Sequence, residues 1–256
     1  LPTNAPRLLA GVLLAAGLLA LAAPRASADE LASIKQRGTL IVGVKADYPP
    51  FGFRAPSGEI EGIEPALAAD TAKSLGVKLE LVPVNASNRM QFLEQGKIDL
   101  MIATMTDTPE RRKVVTFADP DYYAAGYNVM VPKAMNLKAW DDLKGKPVCG
   151  IQGAFYNKSA SEKFGLEVVA FTGTAEALTA LKQGRCVGLL YDDTSIEADL
   201  LQPDWSTYDM PLESQDPLPW GLAVRNGEPE WAAYMSKMVT KWLKDGTILD
   251  LETKYH

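Results

Sequence analysis

From Thr39 onward, short apolar runs alternate with amphipathic stretches. "TLIVGVKA" reads as a strand, "PALAADTAKSLG" as a helix, "VKLELVPV" as a strand, "SNRMQFLEQG" as a helix and "IDLMIATM" as a strand. Past Lys133 the same order begins again, with "KPVCGIQG" as strand, Phe155 to Phe164 as helix, "LEVVAF" as strand, "TAEALTALKQG" as helix and "CVGLLYDD" as strand. Strands separated by helices of about ten residues predict parallel sheets with crossover helices, here as two successive α/β units. In each unit a helix ends at Gln-Gly, and Gly96 and Gly184 are natural C-caps because glycine takes the left-handed backbone freely. The tail "EPEWAAYMSKMVTKWLKDG" returns to helix and sets Trp231, Met235, Met238 and Trp242 at helical spacing, a stripe suited to a core.

One stretch follows each unit as a candidate linker, "YNVMVPK" after the first and "ESQDPLPWGLAV" after the second, the latter broken by Pro217 and Pro219. If the C-terminal helices pack back on the first unit, the chain crosses twice between lobes. Two crossings make a hinge with a cleft beside it. On this reading residues 29–126 with 222–256 form one lobe and residues 127–221 the other.

The chain opens with Arg7, an apolar run from Leu8 to Ala23 and the triplet Ala26-Ser27-Ala28. That order predicts a secretory signal over residues 1–28, cleaved after Ala28. The run stops at Pro24, short of the roughly 18 to 20 residues that span a bilayer. It carries no cysteine for lipid attachment, so a free periplasmic protein is expected. Cleavage removes two of the 26 basic residues and none of the 32 acidic ones, leaving a net charge of 24 − 32 = −8. Nucleic acid and anionic membrane surfaces are therefore poor partners. The two cysteines, Cys149 and Cys186, each begin an apolar strand-like run. In an exported chain they predict a disulfide, with two buried thiols as the alternative.

Catalytic equipment is sparse. His256 is the one histidine, which excludes histidine-based triads and histidine-rich metal sites, and no nucleotide-binding or nucleophile-elbow motif occurs in a strand-to-helix context. No cofactor and no metal is expected. Binding equipment is better represented. In "MTDTPERRK", Thr108 suits an N-cap and Pro109 the first helical position, which puts Arg111 in the opening turn. Helix N-termini disfavour cations by a few tenths of a kcal/mol, so Arg111 asks for an anion. With Thr104 and Thr106 at the end of the preceding strand it makes a carboxylate site, the competing reading being a solvated surface arginine. Asp192, at the end of "GLLYDD", comes to the equivalent edge of the second unit. It can receive an ammonium group, unless it or Asp193 only caps the helix that follows. One lobe for a carboxylate and one for an ammonium describes an α-amino acid.

"GVKADYPPFGF", "GEIEGIEPAL", "GKIDLMIATMTDTPERRKVVTFADPDYY", "WDDLKGKPVCGIQG" and "GRCVGLLYDD" together resemble the polar amino-acid-binding proteins of ABC uptake systems. The resemblance implies the type II periplasmic-binding-protein fold, two α/β lobes with two hinge crossovers. It further implies a monomer that delivers an amino acid to an ABC permease in the inner membrane. By position Tyr48 matches the family's ligand-clamping aromatic, Ile63 the opposite wall, Thr104 and Thr106 the contacts to ammonium and carboxylate, Arg111 the carboxylate anchor and Asp192 the ammonium acid. Ala154 and Phe155 stand where many relatives carry hydroxyls, and "GIEPAL" replaces the usual "GFDVDL". Lys45 matches the position that reads the ligand side chain, and Arg89 resembles another basic position of glutamate/aspartate binders. Two such cations favour an acidic ligand such as glutamate or aspartate. Against this stand a Lys45 paired with Asp47 and an Arg89 on an exposed helix face. Two alternatives remain at this point: a binder of another polar amino acid such as glutamine, and an enzyme similar to cyclohexadienyl dehydratases with Glu64 or Asp192 as its acid.

Overall fold

The computed structural model describes residues 29–255, so the expected signal over residues 1–28 and His256 lie outside the described residues. The chain begins with α1 (Glu30–Arg37), capped by the Asp29 side chain, which accepts from Leu31 N–H at 2.9 Å. It continues through β1 (Thr39–Val44), β2 (Asp47–Tyr48), β3 (Gly52–Arg54), β4 (Ile60–Glu61), α2 (Ile63–Leu75), β5 (Lys78–Pro83), α3 (Arg89–Glu94), β6 (Leu100–Met101) and β7 (Val115–Phe117). A second series follows: β8 (Tyr123–Pro132), β9 (Pro147–Ile151), α4 (Tyr156–Phe164), β10 (Glu167–Phe171), α5 (Thr174–Lys182), β11 (Leu189–Asp192), α6 (Asp193–Leu200), β12 (Tyr208–Asp209) and β13 (Gln215–Trp220). β14 (Ala223–Arg225), α7 (Pro229–Lys244) and α8 (Thr247–Tyr255) complete the chain.

The strands form two larger sheets, one for each lobe. The first has the order β5-β1-β6-β14-β7, with β1 parallel to β5 and β6 and with β14 antiparallel to both its neighbours. The second runs β10-β9-β11-β8-β12, with β13 also on β8, and its β9 is parallel to β10 and β11. The parallel pairs join the strands that the alternating pattern predicts. β2, β3 and β4 form a small separate sheet. The C-terminal α7 returns to the first lobe, where the stripe Trp231, Met235, Met238 and Trp242 is buried. Indole N–H groups fix its seating, Trp231 donating to the Asp99 carbonyl at 2.9 Å and Trp242 to Asp70 Oδ2 at 2.8 Å. Cys149 on β9 and Cys186 just before β11 are bonded as a disulfide, so the oxidised reading holds over the two free thiols.

Three local expectations change. Both candidate linkers are largely strand: Tyr127 to Pro132 of the first lie in β8, and Gln215 to Trp220 of the second form β13 against it. β13 tolerates Pro217 and Pro219 because it lies along one flank of β8, where a missing N–H breaks no second ladder. The crossings themselves are short, between β7 and β8 and between β13 and β14. The helix expected to open at Thr108 is a single 3-10 turn, Arg111–Lys113. "IDLMIATM" keeps only Leu100 and Met101 in regular pairing, after which Thr104 turns to a positive φ of 47°.

Candidate functional site

The carboxyl ends of β1 and β6 point at the second lobe, as strand ends do where ligands bind in open α/β sheets. Just past β1, Lys45 is buried at 1 % exposure, with Nζ 2.9 Å from Asp47 Oδ1 in an ion pair that lacks hydrogen-bond geometry. Arg89, in the first turn of α3, is buried at 4 % rather than displayed on an outer face. Its Nη1 donates to the Ala103 carbonyl and, at 3.0 Å, to the Thr104 carbonyl. Arg111 turns back over its own loop, donating through Nη1 to the Thr106 carbonyl at 2.8 Å, while its backbone N–H reaches Thr108 Oγ1 at 3.3 Å.

The second lobe meets this set directly. Arg111 Nη2 donates to the Gly153 carbonyl at 3.2 Å, and Tyr48 OH reaches Asp192 Oδ2 at 3.1 Å and Thr194 Oγ1 at 2.8 Å. Asp47 Oδ2 accepts from Thr174 N–H at 3.1 Å, at the start of α5, whose N-cap Gly173 has no side chain to serve there. Gly153 holds a φ of 87°, and a Cβ there would stand 2.6 Å from the Ala86 carbonyl of the first lobe. A residue larger than glycine at 153 would prop the lobes apart.

Between the lobes lies a cavity of about 20 Å³, lined by Lys45, Arg89, Thr104, Thr106, Arg111 and Asp192 together with Ala86, Ala154, Phe155, Tyr156 and Tyr191. That is room for about one water molecule, so an amino acid enters only when the lobes part. Larger surface grooves occur elsewhere, and one of them carries Asp141, Asp142, Lys144 and Lys146, but those charges are exposed or half-exposed rather than buried between the lobes. Of the residues expected at the site, Tyr48 stands behind Asp192 and Ile63 is buried in the core at the start of α2; neither is among the lining residues. Tyr156 and Tyr191 line the cavity without having been singled out, because a tyrosine at the start of a helix or inside an apolar strand looks like core. Asp192 occupies the backbone N-cap position of α6, yet its side chain makes no cap bond and faces Tyr48 instead.

Burial sets the electrostatics. It pushes Arg111 down to about 9, helped by the neighbouring Arg89 cation and opposed by Asp192. Burial also lowers Arg89 from its ordinary value, which Tyr191 and Asp192 partly offset. Asp192 rises to about 6 through burial, restrained by the Tyr48 and Tyr156 hydroxyls. Glu64 rises to about 7, again through burial, held back by Tyr122 and the Thr104 N–H. With Glu64 at about 7 against an ordinary 4.5, keeping it ionised in the fold costs on the order of 3 kcal/mol. A carboxyl raised on folding stabilises the fold while protonated, and that contribution disappears as pH climbs through its folded value. The free protein should therefore melt at a higher temperature at pH 5 than at pH 8, measured by calorimetry; an equal or higher melting temperature at pH 8 would contradict the burial of these carboxyls.

Across the lobes Arg89 and Arg111 face the buried carboxylate of Asp192, an arrangement that suits a small zwitterion. The comparison with known proteins agrees in class. Bacterial extracellular solute-binding proteins, family 3, match over residues 40–256, and the chain belongs to this family. It is 32% identical over 233 residues to the ABC transporter glutamine-binding protein GlnH of Bacillus subtilis, covering 89% of this chain and 84% of that protein. It is 31% identical over 247 residues to the L-cystine-binding protein TcyJ of Escherichia coli K12, covering 94% and 92%. Among solved structures it is similar to the ancestral amino acid-binding protein AncCDT-1, a precursor of cyclohexadienyl dehydratase, with a TM-score of 0.78, 33% identity and coverage of 88% and 98%.

Proposed function

We propose that the chain is the extracytoplasmic receptor of an amino-acid ABC transporter, closing on an acidic amino acid and delivering it to a membrane permease. The observation that carries the acidic preference is a pair of buried cations in one cavity: Arg89 Nε has no hydrogen-bond partner among the described residues, and Lys45 Nζ has only its ion pair with Asp47, which lacks hydrogen-bond geometry. A buried donor without a partner is costly, and a ligand carboxylate relieves that cost at Arg89 and competes with Asp47 for Lys45. Arg111 then takes the α-carboxylate and Asp192 the ammonium, while the side-chain carboxylate lies toward Arg89 and Lys45. Relatives named for glutamine and cystine support the amino-acid class. The two extra cations distinguish the acidic ligand within that class.

A melting-temperature survey tests the reading on protein refolded to strip carried-over ligand. Saturation at about a hundredfold over Kd adds about 2.7 kcal/mol, several degrees for a chain of this size. L-Glutamate or L-aspartate should produce that rise and L-lysine should not. A rise confined to L-glutamine or L-cystine keeps the receptor and removes the acidic preference.

A further inference from the structure

Thr104 lines the cavity in a backbone conformation that a β-branched residue rarely takes, φ 47°. Such strain persists only where the surroundings over-determine it. Here both sides of the residue are held. The Thr104 N–H donates to Glu64 Oε1 at 2.6 Å, and the Thr104 carbonyl accepts from Arg89 Nη1 at 3.0 Å. Glu64 sits in the first turn of α2, fully buried, and the same Oε1 accepts from the Tyr122 hydroxyl. Tyr122 belongs to the crossing between β7 and β8, and its own N–H is tied to the Trp220 carbonyl at 3.0 Å on the returning strand. Glu64 does not line the cavity.

We propose that Glu64 is a positioning residue of the ligand site, braced by Tyr122 at the hinge crossing and fixing Thr104 in the left-handed conformation that presents it to the ligand. Both sides of the clamp work together: Glu64 takes the amide and Arg89 the carbonyl of one residue. Arg89 can hold Thr104 through Nη1 and still turn Nε toward the ligand. The proposal rests on the receptor reading above, because it concerns how that site is shaped. It differs from a general stability role in one respect: a residue that needs no clamp to adopt positive φ makes Glu64 dispensable for binding.

Glycine is such a residue, which makes a double-mutant cycle the test. L-Glutamate is titrated into wild type, Glu64→Ala, Glu64→Gln, Thr104→Gly and the double variant Glu64→Ala with Thr104→Gly. Release of Thr104 from its strained conformation, which costs the ligand-ready state on the order of 1 to 3 kcal/mol, should weaken binding roughly 10- to 100-fold in Glu64→Ala. Glu64→Gln keeps an acceptor for the Thr104 N–H and should stay near wild type. In the Thr104→Gly background, removing Glu64 should cost little further affinity. An equal loss in both backgrounds, or a Glu64→Gln variant as weak as Glu64→Ala, overturns the proposal. Should Glu64→Ala fail to fold, Tyr122→Phe takes its place in the cycle, with a smaller loss expected that Thr104→Gly again absorbs. A wild type that binds another amino acid in place of L-glutamate moves the cycle to that ligand; one that binds no amino acid defeats the receptor reading itself, and the clamp is then judged by melting temperatures, in which Glu64→Ala should cost less in the Thr104→Gly background.

Discussion

Replacing Arg111 by alanine should reduce L-glutamate affinity by two to four orders of magnitude while leaving the fold intact. The expectation follows from where the guanidinium lies. It is half-buried between the lobes, its charged form disfavoured by desolvation and by Arg89, and its hydrogen bonds go to uncharged carbonyls at Thr106 and Gly153. No carboxylate of the protein is paired with it at contact distance among the described residues. A bound α-carboxylate supplies that partner, and removing one member of a buried pair costs about 3 to 5 kcal/mol. A surface arginine would be worth about 1 kcal/mol at most, less than tenfold in affinity. Arg111→Lys should fall between, since an ammonium keeps the charge and loses the two-pronged match to a carboxylate. Calorimetric titration reads the affinity and circular dichroism confirms the fold; a loss below tenfold would remove Arg111 from the anchor role.

The second large effect is expected at Asp192. Asp192→Asn should weaken binding about a hundredfold, because the neutral amide still accepts from Tyr48 and no longer balances an ammonium group. Asparagine is as good an N-cap as aspartate. A residue that merely capped α6 would therefore tolerate the change, so the substitution separates binding from capping. A second readout follows from burial, which holds Asp192 at about 6. The ligand ammonium needs the carboxylate ionised, so wild-type affinity should fall as pH is lowered through 6. Asp192→Asn should lose that part of the dependence, and an unchanged pH profile would contradict the assignment.

Much of this architecture is legible in hydrophobic spacing, and the exceptions have local causes. β1, β5, β9 and β10 stand where the apolar runs place them because each is packed from both faces or against a helix. The turn after Thr108 is short because Arg111 folds back on the Thr106 carbonyl and Arg112 is drawn to Asp107 and Asp119. Those side-chain ties replace the backbone ladder that a longer helix needs. Pro217 and Pro219 read as breakers by composition, yet one flank of a neighbouring strand accommodates them. The charged part of the cavity is legible for a similar reason. Arg111 and Asp192 are charges set at a turn and a strand end, where a single residue type carries its own chemical argument, whereas Lys45 and Arg89 come into view only through the family resemblance. Tyr156 and Tyr191 carry no such signal, since whether a tyrosine fills a core or lines a cavity depends on packing between lobes far apart in sequence. The buttress at Glu64 is likewise invisible without Thr104, 40 residues away and in an unusual conformation.

The central claim is that two buried cations make this receptor prefer an acidic amino acid. Calorimetric titration of the refolded protein with L-glutamate and L-glutamine, repeated on Arg89→Met, measures it most directly. The expected result is tighter binding of L-glutamate by the wild type and a preference that collapses or reverses in the variant. Equal or tighter binding of L-glutamine by the wild type, with Arg89→Met leaving the ratio unchanged, would contradict it.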